Sequence, residues 1–450
     1  MPVTNRIAEC RGFFMQKLGK MRNFIKYRLL PLTAVLVILP AIEANTSPIG
    51  CGDSFCQSDE GYSVCSADCP SPTCGDGICA MDYMENYITC GPDCPSWYDV
   101  VVSTPEQERI EEIRRNGVDI ILEGELETII VDDFDHSKSE TIYSIKDDSG
   151  TLFRVYFPEE RPQEISGTRF SINGKILQIG GESEIVVENF DVLESGNVAA
   201  TNENPNLGEQ RTAVVLVKFQ DNETEPITVE EARNRVFDET NPDSINSWVQ
   251  EVSNGQAWLT GDVYGWYTLP PNLDGTPCEF GCIQRKVIQL TDPYIYFQNN
   301  LRLIIVTNGG GGFIRGEGTL GLIPVSTADG NIRLSVSILY GTTIINNTGV
   351  HELGHNFGVH HANYWNCEGN KIIGDDCQSV EYGDPFDAMG NTAKNHYNSH
   401  YKQTIGWFNE FNIIQTTLNQ LYRIEPIELG ILVGEKGLNV QVGNTVYTVE

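Results

Sequence analysis

Hydrophobic and polar positions alternate along the stretch from Val118 to about Ser195. Asp, Gly and Pro divide this stretch into short runs, a pattern typical of strands joined by turns. The runs are Ile120-Ile121-Leu122, Ile129-Ile130-Val131, Leu152–Phe157, Arg169–Ile172 and Ile185-Val186-Val187. About five such strands predict a small all-β, barrel-like domain of OB-like appearance over residues 98–200. Basic and aromatic residues do not interleave there as single-stranded nucleic-acid binding requires.

The pattern changes after residue 210. Longer apolar runs at Ala213–Phe219 and Leu303–Val306 predict buried strands, and Thr228–Phe237 and Ser244–Ser253 have the spacing and capping residues of helices. Because strands and helices are mixed along the chain, we expect an α+β domain over residues 211–410.

Further strands are predicted at Thr319–Val325 and Arg333–Leu339.

The segments on either side of this domain differ from it in composition. Residues 201–210 are rich in Asn, Glu, Pro and Gly, which predicts an exposed linker suited to activating proteolysis. Residues 411–450 alternate again and predict a β-rich C-terminal segment, whose pattern stops in mid-strand as in a truncated chain.

Residues 1–44 combine a basic stretch with an apolar one. Met21–Arg28 is positively charged, and Leu29–Ile42 is apolar apart from two prolines. This order is typical of a cleaved signal peptide, and the apolar run is short for a membrane span. We therefore expect a secreted, extracellular protein with no membrane span in the mature chain.

Residues 45–97 contain two Cys-rich repeats. The pairs are Cys51/Cys56, Cys65/Cys69, Cys74/Cys79 and Cys90/Cys94. Units of about twenty residues cannot bury a core, so we expect disulfides to hold them, with a Cys-rich zinc site as the alternative. Farther along, Cys278 and Cys282, and Cys367 and Cys377, are positioned to pair locally, and cross-pairing is also allowed. The partner of the repeats cannot be inferred from the sequence.

The net charge is −32, and it is unevenly distributed. Residues 1–44 carry seven basic and two acidic residues, a net of +5, so the remainder carries −32 − 5 = −37. This excess argues against nucleic-acid binding, which needs basic patches. It is compatible with a solvated acidic surface or with Ca²⁺ bound near Asp53 and Asp76.

Four of the seven histidines lie between residues 351 and 361. His351 and His355 fall in a helix that we predict from about Thr348 to Phe357. Residues four apart lie one turn apart on one face of a helix, so both imidazoles can reach the same ion. The pair therefore predicts two ligands of a Zn²⁺ site.

The residues around this pair complete the pattern. Gly358 can adopt the left-handed conformation that ends a helix and turns the chain back toward the ion. His361 is then the third predicted ligand, and His360 is a spare neighbour. Glu352 follows the first ligand, where a general base for the attacking water stands in the His-Glu-x-x-His pattern.

The full pattern, H-E-x-x-H-x-x-G-x-x-H followed by a turn that contains Met, resembles the metzincin metalloproteases. The turn is Tyr382–Gly390, whose sequence Y-G-D-P-F-D-x-M-G is most similar to that of the gametolysin branch. Asn246–Trp248 and Thr260–Trp266 also fit that branch, so the resemblance covers roughly residues 210–410. It implies a mixed twisted sheet with an active-site helix, and Met389 as an apolar floor beneath the zinc.

The sequence departs from astacin-like relatives two residues after Met389, where Asn391 replaces the tyrosine that assists the oxyanion in those enzymes. Tyr397, His400 and Tyr401 are the candidates to replace it, and the sequence does not decide among them.

These features predict a secreted zinc-dependent endopeptidase, made as a zymogen, and the family resemblance implies extracellular matrix or cell-wall glycoproteins as its substrates. No free Cys is placed to cap the metal, so we expect an Asp or Glu of residues 98–200 to do so. A substrate peptide is expected to add to a sheet edge above the cleft. The alternative is a secreted adhesive or matrix-binding protein with an inactive metzincin domain.

Overall fold

The computed structural model describes residues 105–450, apart from 135, 180–181, 197–203, 270–279, 309–314, 342–346, 368–376, 391–393, 410, 417–419, 430–433 and 443–444. Residues Ser103–Glu450 form one compact unit, a mixed α+β fold with a large mixed sheet. The predicted signal peptide and both Cys-rich repeats lie outside the described residues.

Helices and strands are interspersed along this unit. The helices are α1 (Pro105–Asn116), α2 (Val229–Val236), α3 (Ile245–Val252), α4 (Phe280–Thr291), α5 (Asn347–Phe357) and α6 (Ser399–Ile405). The first eight strands are β1 (Val118–Asp133), β2 (Lys138–Lys146), β3 (Leu152–Tyr156), β4 (Arg169–Ile179), β5 (Glu182–Glu194), β6 (Gly208–Phe219), β7 (Ala257–Leu269) and β8 (Arg302–Thr307). The others are β9 (Gly316–Thr319), β10 (Ile323–Thr327), β11 (Gly330–Tyr340), β12 (Tyr364–Asn366), β13 (Gln378–Val380), β14 (Ile413–Thr416), β15 (Gly437–Val442) and β16 (Thr445–Val449).

Strands β1 to β5 close into a ring, which we call the barrel. The pairing order is β1–β2–β3–β5–β4 and back to β1. Strand β1 serves two neighbours because its first half pairs with β4 and its second half with β2. Leu126, Phe170 and Ile185 belong to an apolar core inside the barrel, separate from the larger core around strands β6 and β8. The OB-like classification remains a prediction.

Two details of the predicted barrel strands are wrong. The runs at Ile120–Leu122 and Ile129–Val131 belong to one strand, because Gly124 lets β1 pass close to the backbone of Lys146 without interruption. Strand β2 was not predicted, since its apolar side chains are few among polar ones.

The rest of the sheet runs β1–β9–β11–β8–β6–β7. Strands β11, β8, β6 and β7 are parallel neighbours, whereas β9 is antiparallel to both β11 and β1. Ile129–Asp132 of β1 pairs with Gly316–Thr319, so the barrel is joined to the rest of the sheet through β9. Helix α5 packs on β9 and β11, which places the histidine motif beside the pairing of β1 with β9.

The predicted strand Thr319–Val325 is two strands in the structure. Gly321 has φ 83°, a left-handed conformation that turns the chain between β9 and β10. The segment predicted as a linker is anchored at its end, because β6 already begins at Gly208. Asn204 donates to Ile405 O and Asn206 donates to Phe357 O.

Strands β12 to β16 follow the histidine motif along the chain. Strands β12 and β13 form a hairpin that the Cys367–Cys377 disulfide closes, which confirms local pairing for these two cysteines. Cys278 lies outside the described residues.

Strands β14 to β16 form a small sheet within the predicted β-rich segment. Among the described helices, none has the length and apolar character that a membrane crossing needs.

Candidate metal centre

Three histidines and one aspartate converge beside α5. His351 and His355 lie on the helix, and Gly358, with φ 98°, ends it and turns the chain so that His361 returns to the same point. The fourth member is Asp132, near the end of β1. One potential ligand atom from each of the four lies within 4.8 Å of all the others.

Asp132 makes the closest approach to the histidines. Its Oδ1 lies 2.9 Å from His361 Nε2, and its Oδ2 lies 3.4 Å from His355 Nε2 and 3.5 Å from His351 Nε2. The Asp132 side chain is fully buried. The sequence indicated only that some Asp or Glu of residues 98–200 would cap the metal. Nothing in the sequence around Asp132 distinguishes it from the other acidic residues of that segment.

The histidine rings are held with Nε2 toward the cluster. Nδ1 of His351 lies 2.9 Å from Ala388 O, and Nδ1 of His355 lies 2.8 Å from Val359 O. Nδ1 of His361 lies 2.9 Å from a Glu381 carboxylate oxygen. Carbonyl and carboxylate oxygens only accept, so each Nδ1 carries the hydrogen, as metal-binding histidines commonly do.

The donor set fits a zinc ion. The side-chain atoms His351 Nε2 and Asp132 Oδ2 are buried and make no hydrogen bond within the described part of the chain. Nε2 atoms of His355 and His361 lie 3.1 Å apart. Two nitrogens bound to one tetrahedral zinc are separated by roughly 3.3 Å, so this spacing suits a shared ion. Three histidines and a carboxylate complete a four-coordinate site.

Burial and charge set the ionisation of this cluster. Burial lowers the pKa of His351 to about 3, which keeps its imidazole neutral. Burial would also lower the pKa of His361, but Asp132 and Glu381 raise it to about 9. Burial opposes ionisation of Asp132, yet its histidine neighbours hold its pKa well below the ordinary value. The cluster thus stabilises an anionic Asp132 carboxylate beside a cationic His361 imidazole.

Glu352 lies next to the cluster, against the backbone of β9. Its side chain is fully buried, and its carboxylate oxygens make no hydrogen bond to any described residue. A Cβ added to Gly316 would overlap Glu352 Oε1, and one added to Gly318 would lie 2.9 Å from Oε2. Burial, then Asp132, raises the pKa of Glu352. The two glycines therefore leave the space that the predicted base occupies.

Met389, in the turn Tyr382–Gly390, packs against helix α5. It is fully buried, and a Cβ on Gly354 would overlap its sulfur atom. Ala388, immediately before it, provides the carbonyl that orients His351. The turn thus supports the histidine pair from below.

Arg302 fixes the C-terminal end of α5. This buried guanidinium donates to Asn356 O at 3.0 Å and to Gln210 Oε1 at 2.6 Å. A cation at this end of a helix interacts favourably with its dipole. No sequence motif indicates a role for Arg302, which is the first residue of the mostly apolar strand β8.

The hydroxyl groups of Tyr397 and Tyr401, two of the three candidates for the oxyanion donor, hydrogen-bond to backbone carbonyls. Tyr397 OH donates to Val350 O and Tyr401 OH donates to His361 O, each at 2.8 Å. His400 is exposed, and Asn391 lies outside the described residues. Instead, the hydroxyl group of Tyr382 reaches Asp132 within the cluster.

Comparisons with known proteins add little to this geometry. No family model matches the sequence, and no curated protein matches it. One similar solved structure is described as a chaperone–substrate complex, with 15% identity, a TM-score of 0.26, and coverage of 65% of this chain and 37% of that chain. Another is metalloproteinase-II from Bacteroides fragilis, with 13% identity, a TM-score of 0.25, and coverage of 60% and 88% respectively. TM-scores this low support no assignment.

Proposed function

We propose that this chain is an exported zinc-dependent endopeptidase of the metzincin type, similar to gametolysin, folded with its own barrel closing the active site. The observation that carries the proposal is the convergence of Nε2 atoms from His351, His355 and His361 beside the buried carboxylate of Glu352. This is the residue set that peptide hydrolysis with zinc requires.

The chain's own residues have separate parts in the proposed reaction. His351, His355 and His361 hold zinc, which when bound polarises the scissile carbonyl and acidifies water. Glu352 takes a proton from the attacking water and delivers it to the leaving amine. Burial raises the pKa of Glu352, which makes its carboxylate a stronger base toward the attacking water.

The barrel supports a latent form in two ways. Asp132 fills the fourth ligand position, and Ile129–Asp132 occupies the antiparallel edge of β9. A substrate peptide would add to the same edge by main-chain hydrogen bonds once β1 is displaced. Cleavage within residues 201–210 is the proposed trigger, since this segment joins the barrel to β6.

Secretion, an extracellular matrix or cell-wall glycoprotein substrate, and Ca²⁺ binding by the acidic chain are parts of the same proposal that rest on the sequence alone. The twelve cysteines after residue 44 and the basic–apolar leader support export. The rival proposal, an adhesive protein with an inactive domain, differs in predicting no turnover from the opened site.

Casein cleavage by the zinc-loaded full chain tests the proposal. A Glu-specific protease, later inhibited, would cut the part of the linker that precedes β6, which contains Glu203. We expect cleavage that phenanthroline abolishes and that Glu352→Gln lacks although it binds equal zinc. No cleavage by the cut wild-type chain, with one zinc bound, would overturn the enzyme proposal and favour the adhesive one.

A further inference from the structure

Tyr382 is held rigidly at the edge of the metal centre. Its side chain is only 4% exposed. The ring centroid lies 4.1 Å from that of His361 and 5.5 Å from that of Phe134. Asn363 Oδ1 accepts a hydrogen bond from the Tyr382 backbone N–H. These contacts fix the direction in which the phenol points.

The backbone of Tyr382 is in an uncommon conformation. Its φ is 54°, in the left-handed region that bulky residues rarely adopt. Such a conformation costs of order 1–3 kcal/mol, and it persists where the surroundings fix the residue, often at functional sites. Here it aims the side chain back toward the histidines.

The Tyr382 hydroxyl meets the oxygen that is nearest to the histidines. It lies 2.6 Å from Asp132 Oδ1, the same atom that lies 2.9 Å from His361 Nε2. In the closed form, this carboxylate oxygen stands in for an oxygen of the reacting substrate. The phenol therefore already forms a hydrogen bond to an anionic oxygen at the metal centre.

Other tyrosines near the helix use their hydroxyl groups elsewhere. Tyr397 is fully buried and donates to the backbone of α5, at Val350 O. Tyr401 donates to His361 O, on the backbone side of the ligand. Neither hydroxyl donates to Asp132, so Tyr382 is the tyrosine whose donor faces the reacting position.

We propose that Tyr382 is a catalytic residue that donates a hydrogen bond to the oxyanion of the scissile carbonyl. In astacin-like enzymes this role belongs to a tyrosine at the position that Asn391 occupies here. The assignment rests on the proposed endopeptidase function. Tyr382 forms and breaks no covalent bond, and its proton stays on the phenol while negative charge develops on the substrate oxygen. In the closed form the same hydrogen bond is made to Asp132, so the phenol both holds the latent form and serves the open one.

Kinetics and inhibitor binding of Tyr382→Phe test this assignment in the full chain cut in its linker. Removing one oxyanion donor costs about 100- to 1000-fold in kcat in well-studied hydrolases. We expect a kcat loss near 100-fold, KM within about threefold, and unchanged zinc content. Affinity for a phosphinic peptide, which imitates the tetrahedral oxyanion, should fall by a factor similar to the loss in kcat/KM, because both report transition-state binding.

Tyr397→Phe is the matched control, since it also removes one buried hydroxyl. It should lower the melting temperature while kcat and phosphinic-peptide affinity stay within about threefold of wild type. Wild-type kcat and inhibitor affinity in Tyr382→Phe would overturn the assignment while leaving the endopeptidase proposal intact. A wild-type chain that cleaves no peptide would overturn both.

Discussion

Asp132 Oδ1 lies 2.9 Å from His361 Nε2, and this contact joins the barrel to the histidine motif. Asp132 also ends the segment of β1 that pairs with β9. A shift of β1 would therefore remove the carboxylate and expose the β9 edge together. In the proposed endopeptidase, latency and substrate access are therefore two consequences of one strand pairing.

Asp132→Ala should open the metal centre without displacing the barrel. A small hydroxamate binds zinc through oxygens and does not need the β9 edge, so it competes mainly with Asp132. We expect acetohydroxamate to bind the uncut, zinc-loaded variant at least about tenfold more tightly than wild type, measured by calorimetry; tenfold corresponds to about 1.4 kcal/mol.

Asp133→Ala is the control for that experiment, because the neighbouring carboxylate lies outside the four-residue cluster and instead contacts His136. Equal hydroxamate affinity in wild type and Asp132→Ala would mean that Asp132 does not occupy the ligand position.

Gly316→Ala should disturb Glu352 more than any other side chain. The added Cβ would overlap a Glu352 carboxylate oxygen, and overpacking a buried site costs typically about 1–3 kcal/mol. We expect a loss of that size in the free energy of unfolding, measured by urea titration. Glu352→Ala removes this overlap, while the added Cβ would still lie 2.8 Å from Thr348 Cγ2. Gly316→Ala should therefore cost less free energy of unfolding in the Glu352→Ala background than in wild type. Purely additive effects would contradict the proposed packing.

Glu127 should make the barrel less stable as pH rises. Burial raises the pKa of Glu127 to about 7 in the folded state, against 4.5 ordinarily. The folded state then binds more protons between these values, so stability is lost as pH rises from about 4.5 to 7 and changes no further above. Glu127→Gln should therefore be more stable than wild type at pH 8, by up to about 3 kcal/mol, with little difference at pH 4.5.

Urea unfolding at both pH values measures this effect, with Glu188→Gln as an exposed control on the same barrel. A stability difference between Glu127→Gln and wild type that is independent of pH would contradict the assigned ionisation.

The local parts of the site were predictable from sequence, and the non-local parts were not. The spacing of His351 and His355 and the position of Gly358 follow from helix geometry, and α5 begins within a residue of its predicted start. Asp132 and Tyr382 reach the site through strand pairing and a left-handed turn, which hydrophobic periodicity does not encode. The sequence does not indicate why position 316 is glycine. In the structure, a larger side chain there would overlap Glu352.

Anomalous diffraction from crystals of the uncut full chain loaded with zinc tests the central claim most directly. The account predicts one zinc bonded to Nε2 of His351, His355 and His361 and to a carboxylate oxygen of Asp132, at about 2.0–2.2 Å. Zinc bound elsewhere, or bound to the three histidines with Asp132 turned away, would contradict it.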